Sequence, residues 1–159
     1  MSNRKWVGPD MCRQNMDPEE RLWFFEEAVA AYLAESATDG DLAFADLNDG
    51  HQYVLLARED VTVKAEVGAR EWFVNRPLSP QAIWRLGELG YQRDNLAGDF
   101  VRYRLPACAA ELSRLIERSF LAAYDLRADF AVRASFKSEY AEERLQRRIL
   151  MARWPCAGH

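Results

Sequence analysis

The residues of this chain that could do chemistry are few, and their spacing does not assemble a reactive set. Its 159 residues include two histidines, His51 and His159, and three cysteines, Cys12, Cys108 and Cys156. A Ser-His-Asp or Cys-His arrangement would have to use His51. That residue follows Asn48, Asp49 and Gly50 in a turn-forming stretch, with no nucleophile elbow or paired cysteine beside it, and reads as a solvent-facing turn histidine. Cys156 and His159 make a C-x-x-H ending, but Cys12 and Cys108 are isolated and do not complete a zinc ligand set. Gly87, Gly90 and Gly98 match no phosphate-binding loop, and the first two suit a helix end. Lys64 and Glu66 share one face of an alternating run, which favours a solvated ion pair over a catalytic dyad. The expectation is a protein with no catalytic residues, no metal and no cofactor.

Charge and composition narrow the partners. With 49% hydrophobic and 29% charged residues, the chain can bury a core and is not a disordered polymer. Its formal net charge of -4 does not favour nucleic acid. The one basic cluster, Arg144, Arg147, Arg148 and Arg153, is offset by Glu139, Glu142 and Glu143 on the same helical stretch. An odd, scattered set of cysteines points to reduced thiols. The opening MSNRKWVGPDMCRQNMDPEE carries no apolar leader, and no later run has the length of a membrane span. A cytoplasmic protein without a membrane partner is expected.

Helix and strand signals then order the chain. Residues 1–16, broken by Gly8-Pro9-Asp10, read as a flexible arm. Asp17, Pro18 and Glu20 supply a cap, a preset first turn and a capping-box partner for a helix whose inward stripe is Leu22, Phe25, Val29, Tyr32 and Leu33. Trp23 and Phe24 fall beside that stripe. Either the helix is buried on more than one side, or it shows a partner a second apolar surface. Three strand-like runs follow, DLAFADL, HQYVLLA and VTVKAEV, joined by connections too short for parallel crossovers. In the third, Val61, Val63, Ala65 and Val67 alternate with Thr62, Lys64 and Glu66, so one side is core and the other faces solvent or a partner. Ser79 and Pro80 start a second helix, with Ile83, Leu86 and Leu89 or Trp84 turned inward, and Gly90-Tyr91 closes it. A strand from Asp99 to Leu105 and a helix with Leu112, Leu115, Ile116, Phe120 and Tyr124 on its stripe come next. Residues 127–154 hold a further, weaker arginine-rich helix with Tyr140, Leu145 and Ile149 on its apolar side. Antiparallel strands flanked by helices make an α+β domain.

Aromatic residues exceed what these elements require. Trp6, Trp72 and Trp154 fall on an arm, a connection and a tail, and Phe73 adjoins Trp72. Aromatics outside a core are typical interface anchors. The sequence therefore favours a binding protein over an enzyme.

The run from Tyr53 to Leu126 resembles the actinobacterial members of the superfamily that joins type III secretion chaperones with YbjN-like proteins, the TY-Chap domains. The matching features are a strand ending Ala65-Glu66-Val67, a helix opening Leu78-Ser79 and closing Leu89-Gly90-Tyr91, a strand through Phe100-Val101-Arg102, and a last helix ending near Tyr124. The resemblance implies an α+β unit over residues 17–126, in the order α-β-β-β-α-β(-β)-α, with residues 127–159 as a helical extension outside it. It further implies a homodimer whose sheet and first helix cradle an extended segment of a client protein or peptide. Trp23, Phe24, Lys64, Glu66, Trp72, Phe73 and Tyr91 are the candidate contact residues. The competing expectation is a regulatory or structural subunit with one permanent folded partner.

Overall fold

The computed structural model describes residues 5–8, 15–35, 40–69, 78–94 and 98–151. Its elements are α1 (Pro18–Leu33), β1 (Asp41–Asp46), β2 (Tyr53–Glu59), β3 (Thr62–Val67), α2 (Pro80–Glu88), β4 (Gln92–Arg93), β5 (Phe100–Leu105), α3 (Ala109–Ala123), β6 (Val132–Phe136) and α4 (Glu139–Met151). The strands form one antiparallel sheet in the order β4-β5-β3-β2-β1-β6. The α+β class expected from the sequence is the class observed, and the first eight elements follow the expected order.

Alternation decides which face of the sheet is covered. Leu42 and Phe44 of β1 lie opposite Leu56 and Val54 of β2, and β2 passes the same side on to Val63, Ala65 and Val67 of β3. All of these side chains are buried, and they join Phe24, Phe25, Leu112, Ile116 and Phe120 of α1 and α3 in one core. The helices lie side by side on this face in the order α4, α1, α3, α2. The second face carries Leu55, Ala57, Lys64 and Glu66, all partly exposed.

Capping signals act where the sequence placed them. The Asp17 carboxylate accepts from the Glu20 N–H at 2.9 Å, and the Ser79 hydroxyl accepts from the Ala82 N–H at 3.1 Å. At the end of α2, Gly90 adopts φ 89°, a conformation that a residue with a Cβ enters at a cost. The Gly90 and Tyr91 N–H groups then reach back to the carbonyls of Gly87 and Leu86, each at 3.0 Å.

Four features depart from the expectations. Residues 127–154 hold the expected helix as α4, but ahead of it they also contain β6, which pairs with β1 and buries Val132, Ala134 and Phe136. Through Met151 the segment belongs to the same sheet and helical layer, so the boundary expected at residue 126 falls inside one structural unit. The arm, too, is partly built in. Val7 is buried and exchanges backbone hydrogen bonds of 2.6 Å with Ala134, and Met16 is buried with its N–H on the Asp129 carbonyl. Val61 is exposed because β2 runs on to Glu59 and β3 starts only at Thr62, which leaves Asp60 and Val61 as the turn. On α2 the inward positions belong to Ala82 and Leu86, whereas Ile83 and Trp84 are exposed. A nine-residue helix that meets the core along one line has room inside for one i, i+4 pair only.

One buried cation ties these parts together. Arg21 of α1 donates to both carboxylate oxygens of Glu117 on α3, with Nε at 2.7 Å from one of them. Its Nη1 reaches the carbonyls of Met16 at 3.2 Å, Ala128 at 3.0 Å and Phe130 at 2.9 Å. The guanidinium also lies 3.7 Å from the centre of the Phe130 ring. Arg21→Ala is expected to cost about 3–5 kcal/mol in chemical denaturation, because it leaves Glu117 without its cation. Pairing Arg21→Met with Glu117→Leu should recover part of that loss, with the three carbonyls still lacking a donor. A cost below about 1 kcal/mol for Arg21→Ala would contradict this account.

Candidate functional site

Each residue expected from the sequence to contact a partner has a definite place except two. Trp72 and Phe73 lie outside the described residues. Phe24 is 0% exposed and sits edge-on to Phe44 with ring centres 6.2 Å apart. The question raised by its position beside the helical stripe is thereby answered, since α1 is buried on more than one side and Phe24 is core. Tyr91 is 4% exposed, and its hydroxyl is 2.7 Å from that of Ser119. Burial pushes its phenol up to about 12, against the opposing pull of the Ser119 hydrogen bond and Arg102. It locks the end of α2 against α3 and offers nothing to a partner. Trp23 is partly buried against the core.

Lys64 and Glu66 stand on the second face of the sheet as an ion pair of 3.2 Å. Desolvation, the largest influence on Lys64, pulls its pKa down. The hydrogen bond and charge of Glu66, with Glu59 and Tyr103, outweigh it and leave the ammonium above its ordinary value. The pair marks a polar centre on that face.

The sequence reading missed two open clefts. The first runs along the end of the sheet where β4 stops. β4 pairs only Gln92 with Val101 and Arg93 with Phe100, while β5 continues to Leu105. Beside that continuation lies a trough of about 700 Å³ lined by Glu59, Asp60, Thr62, Gln92, Tyr103 and Arg104, among others. β5 bulges here, because the pairing steps from Val63↔Leu105 to Ala65↔Arg102 and leaves Tyr103 and Arg104 opposite Lys64. Arg104 takes the left-handed conformation, φ 59°, and Tyr103 is 51% exposed. On α2, Trp84 is 67% exposed.

The second cleft, about 610 Å³, opens at the other end of β1. It is lined by Asn15, by Asp46, Asn48, Asp49 and Gln52 around the β1–β2 turn, and by Asp125 to Arg127, Asp129 and Phe130 between α3 and β6. Asp46 is 4% exposed, and its Oδ1 is buried without a hydrogen-bond partner. Burial raises its pKa; the backbone N–H groups of Asn48, Asp49 and Leu47 work against that rise, and the Asp49 charge adds to it. His51 stands at the rim with Nδ1 3.4 Å from Asp49. Among the described residues no three His, Cys, Asp or Glu side chains are grouped so as to hold a metal ion. No helix among them is long and apolar enough to cross a membrane.

These placements separate core from surface in a measurable way. Phe24→Ala should cost about 3–5 kcal/mol, whereas Trp84→Ala should change stability by no more than about 0.5 kcal/mol, both by denaturant titration. For Asp46 the sign follows from linkage. A carboxyl whose pKa is higher folded than unfolded subtracts stability once ionised, and the penalty fades as pH falls through the raised value toward the ordinary carboxylate range. Asp46→Asn should therefore melt above wild type at pH 7, with the gap closing as the pH is lowered through that window. A gap that widens on acidification would reverse the assignment.

Compared with family models, curated proteins and solved structures, the chain matches none.

Proposed function

We propose that the chain is a non-catalytic protein-binding module, a small chaperone or adaptor that takes an extended segment of a client protein. The observation that carries this reading is the trough beside β5, where a strand edge runs on past its short neighbour. A strand laid there would continue β4 and pair with backbone, while Tyr103 and the aliphatic stems of Arg102 and Arg104 would take alternate side chains. The opposite edge is less available, since the arm already bridges β6 through Val7. Left-handed Arg104, at the bulge opposite Lys64, gives this edge a defined local shape. The sequence resemblance to secretion chaperones and YbjN-like proteins points the same way, and with it a cytoplasmic homodimer.

Exposed Ile83 and Trp84 on α2 favour a second reading, contact with a folded surface, of which a second copy of the chain is the simplest. A permanent folded partner of another kind would use the same residues.

A panel of dye-labelled extended peptides, read by fluorescence polarisation against the full chain, tests the reading. Binding in the micromolar range should weaken about tenfold, ~1.4 kcal/mol, in Tyr103→Asp. Light scattering should show a dimer that dissociates in Trp84→Asp. If no peptide saturates, or if binding is indifferent to Tyr103 and Arg104 substitutions, the β5 edge is not a client site.

A further inference from the structure

The arm fills one position of a sheet edge that offers three. Ala134 of β6 exchanges both of its backbone hydrogen bonds with Val7, at 2.6 Å each, on the side away from β1. Val132 and Phe136, two residues to either side, therefore turn their N–H and C=O groups the same way. Among the described residues nothing pairs with them there. The register explains the shortfall. With Val7 opposite Ala134, residue 9 of the chain corresponds to Val132, and it is a proline, which has no N–H to give. At the other end no ladder bond joins Lys5 to Phe136.

What the arm does contribute is specific. Val7 is buried and continues the core-facing row of Ala134, Phe44, Val54 and Val67 across the sheet. Trp6 belongs to the second face, where the Arg133 guanidinium lies 4.7 Å from its ring centre. Gly8 passes so close to β6 that an added Cβ would stand 3.1 Å from the Arg133 Cβ and 3.3 Å from the Val132 carbonyl oxygen. The edge thus accepts an aromatic residue, a β-branched aliphatic residue and a glycine, in that order.

The arm is also held weakly. One residue pair and one core side chain order Lys5 to Gly8, whereas β1 pairs with β6 along the whole of its length. A segment that buries so little opens at a small fraction of the free energy of global unfolding. An incoming strand with N–H groups opposite both Val132 and Phe136 forms the bonds that the arm leaves unmade.

We propose that the outer edge of β6 is an acceptor for an extended segment of another protein that carries an aromatic, a β-branched and a glycine residue in succession, and that residues 5–8 are its resident competitor. The site lies on the edge opposite the β5 trough and does not depend on the reading of that trough.

The test is a titration of the full chain bearing Gly8→Val, followed by amide chemical shifts. The probe is the blocked peptide acetyl-Asn-Arg-Lys-Trp-Val-Gly-Thr-Asp-amide, the sequence of residues 3–10 with threonine in place of its proline. The added side chain lifts the resident arm, so saturable shifts centred on residues 132–136 are expected. Wild type should bind the same peptide at least about tenfold more weakly, because the tethered arm competes. The peptide with its proline restored should bind several-fold more weakly to either chain. Val7→Asp, which removes the core anchor and leaves Gly8 in place, should bind the peptide as Gly8→Val does. Wild type, saturating at higher peptide concentration, keeps the test valid if a substitution disturbs the fold. The proposal fails if the peptide saturates none of the three chains, if wild type binds as tightly as the variants, if aspartate in place of the peptide's valine leaves binding unchanged, or if the shifts fall on residues 100–105. A wild-type dimer in light scattering that Gly8→Val abolishes would also overturn it, since the occupant would then be the arm of a second copy.

Discussion

The structure depends on a guanidinium taken out of water. Arg21 enters the core from the first turn of α1, and such a group is tolerated there only when its donors and its charge are answered together. Glu117 answers the charge from α3, and the carbonyls of Met16, Ala128 and Phe130 answer the remaining donors. These four partners come from three places in the chain. The same residue that closes α1 onto α3 therefore also draws in the last residues of the arm and the loop leading to β6. An apolar side chain could fill the volume, but it could not specify which loop lies under which helix.

That specification has consequences at the sheet edges. Because the α3–β6 loop is held against α1, β6 is delivered to the outside of β1, and Val7 can then bridge to Ala134. The edge is closed by the chain itself, which removes one template for unwanted pairing. At the opposite edge the chain leaves α2 through the Gly90 corner and returns as a two-residue strand, too short to cover β5. The asymmetry combines a local helix stop at one end with a buried ion pair between distant residues at the other. Among the described residues β5 beyond Val101 has a strand partner on one side only.

How far this could be read from the sequence depends on the range of the interactions involved. The caps at Asp17 and Ser79, the stop at Gly90 and the alternation of Val63, Ala65 and Val67 act within a few residues, and all were legible. So was the α+β class, since turns as short as those after β1 and β2 permit only antiparallel neighbours. β6 was not legible as a strand. Its run, VRASF, is short and adjoins an arginine-rich helix, and it becomes a strand by pairing with β1 some ninety residues earlier. The burial of Phe24, left open between core and partner, and the exposure of Trp84, offered as one alternative for an inward position, escaped the sequence for a related reason. Periodicity gives the direction of a side chain but not how many neighbouring elements surround it, and α1 lies between two helices while α2 lies at the end of the layer. The acidic cleft was invisible for the same cause, because Asn15, the turn after β1 and the loop after α3 meet only in the folded chain.

Arg21 and Asp46 show that burial alone does not tell how completely a charge is answered. Both are charged, both are almost fully buried, and both face the loop between α3 and β6. Every part of Arg21 is matched within the chain, so its burial contributes order and asks for nothing further. Asp46 is matched on the side where backbone N–H groups turn toward it and unmatched at Oδ1. The two buried charges are thus answered by different means, Arg21 by groups brought together from α3, the arm and the loop before β6, Asp46 by the backbone of its own turn.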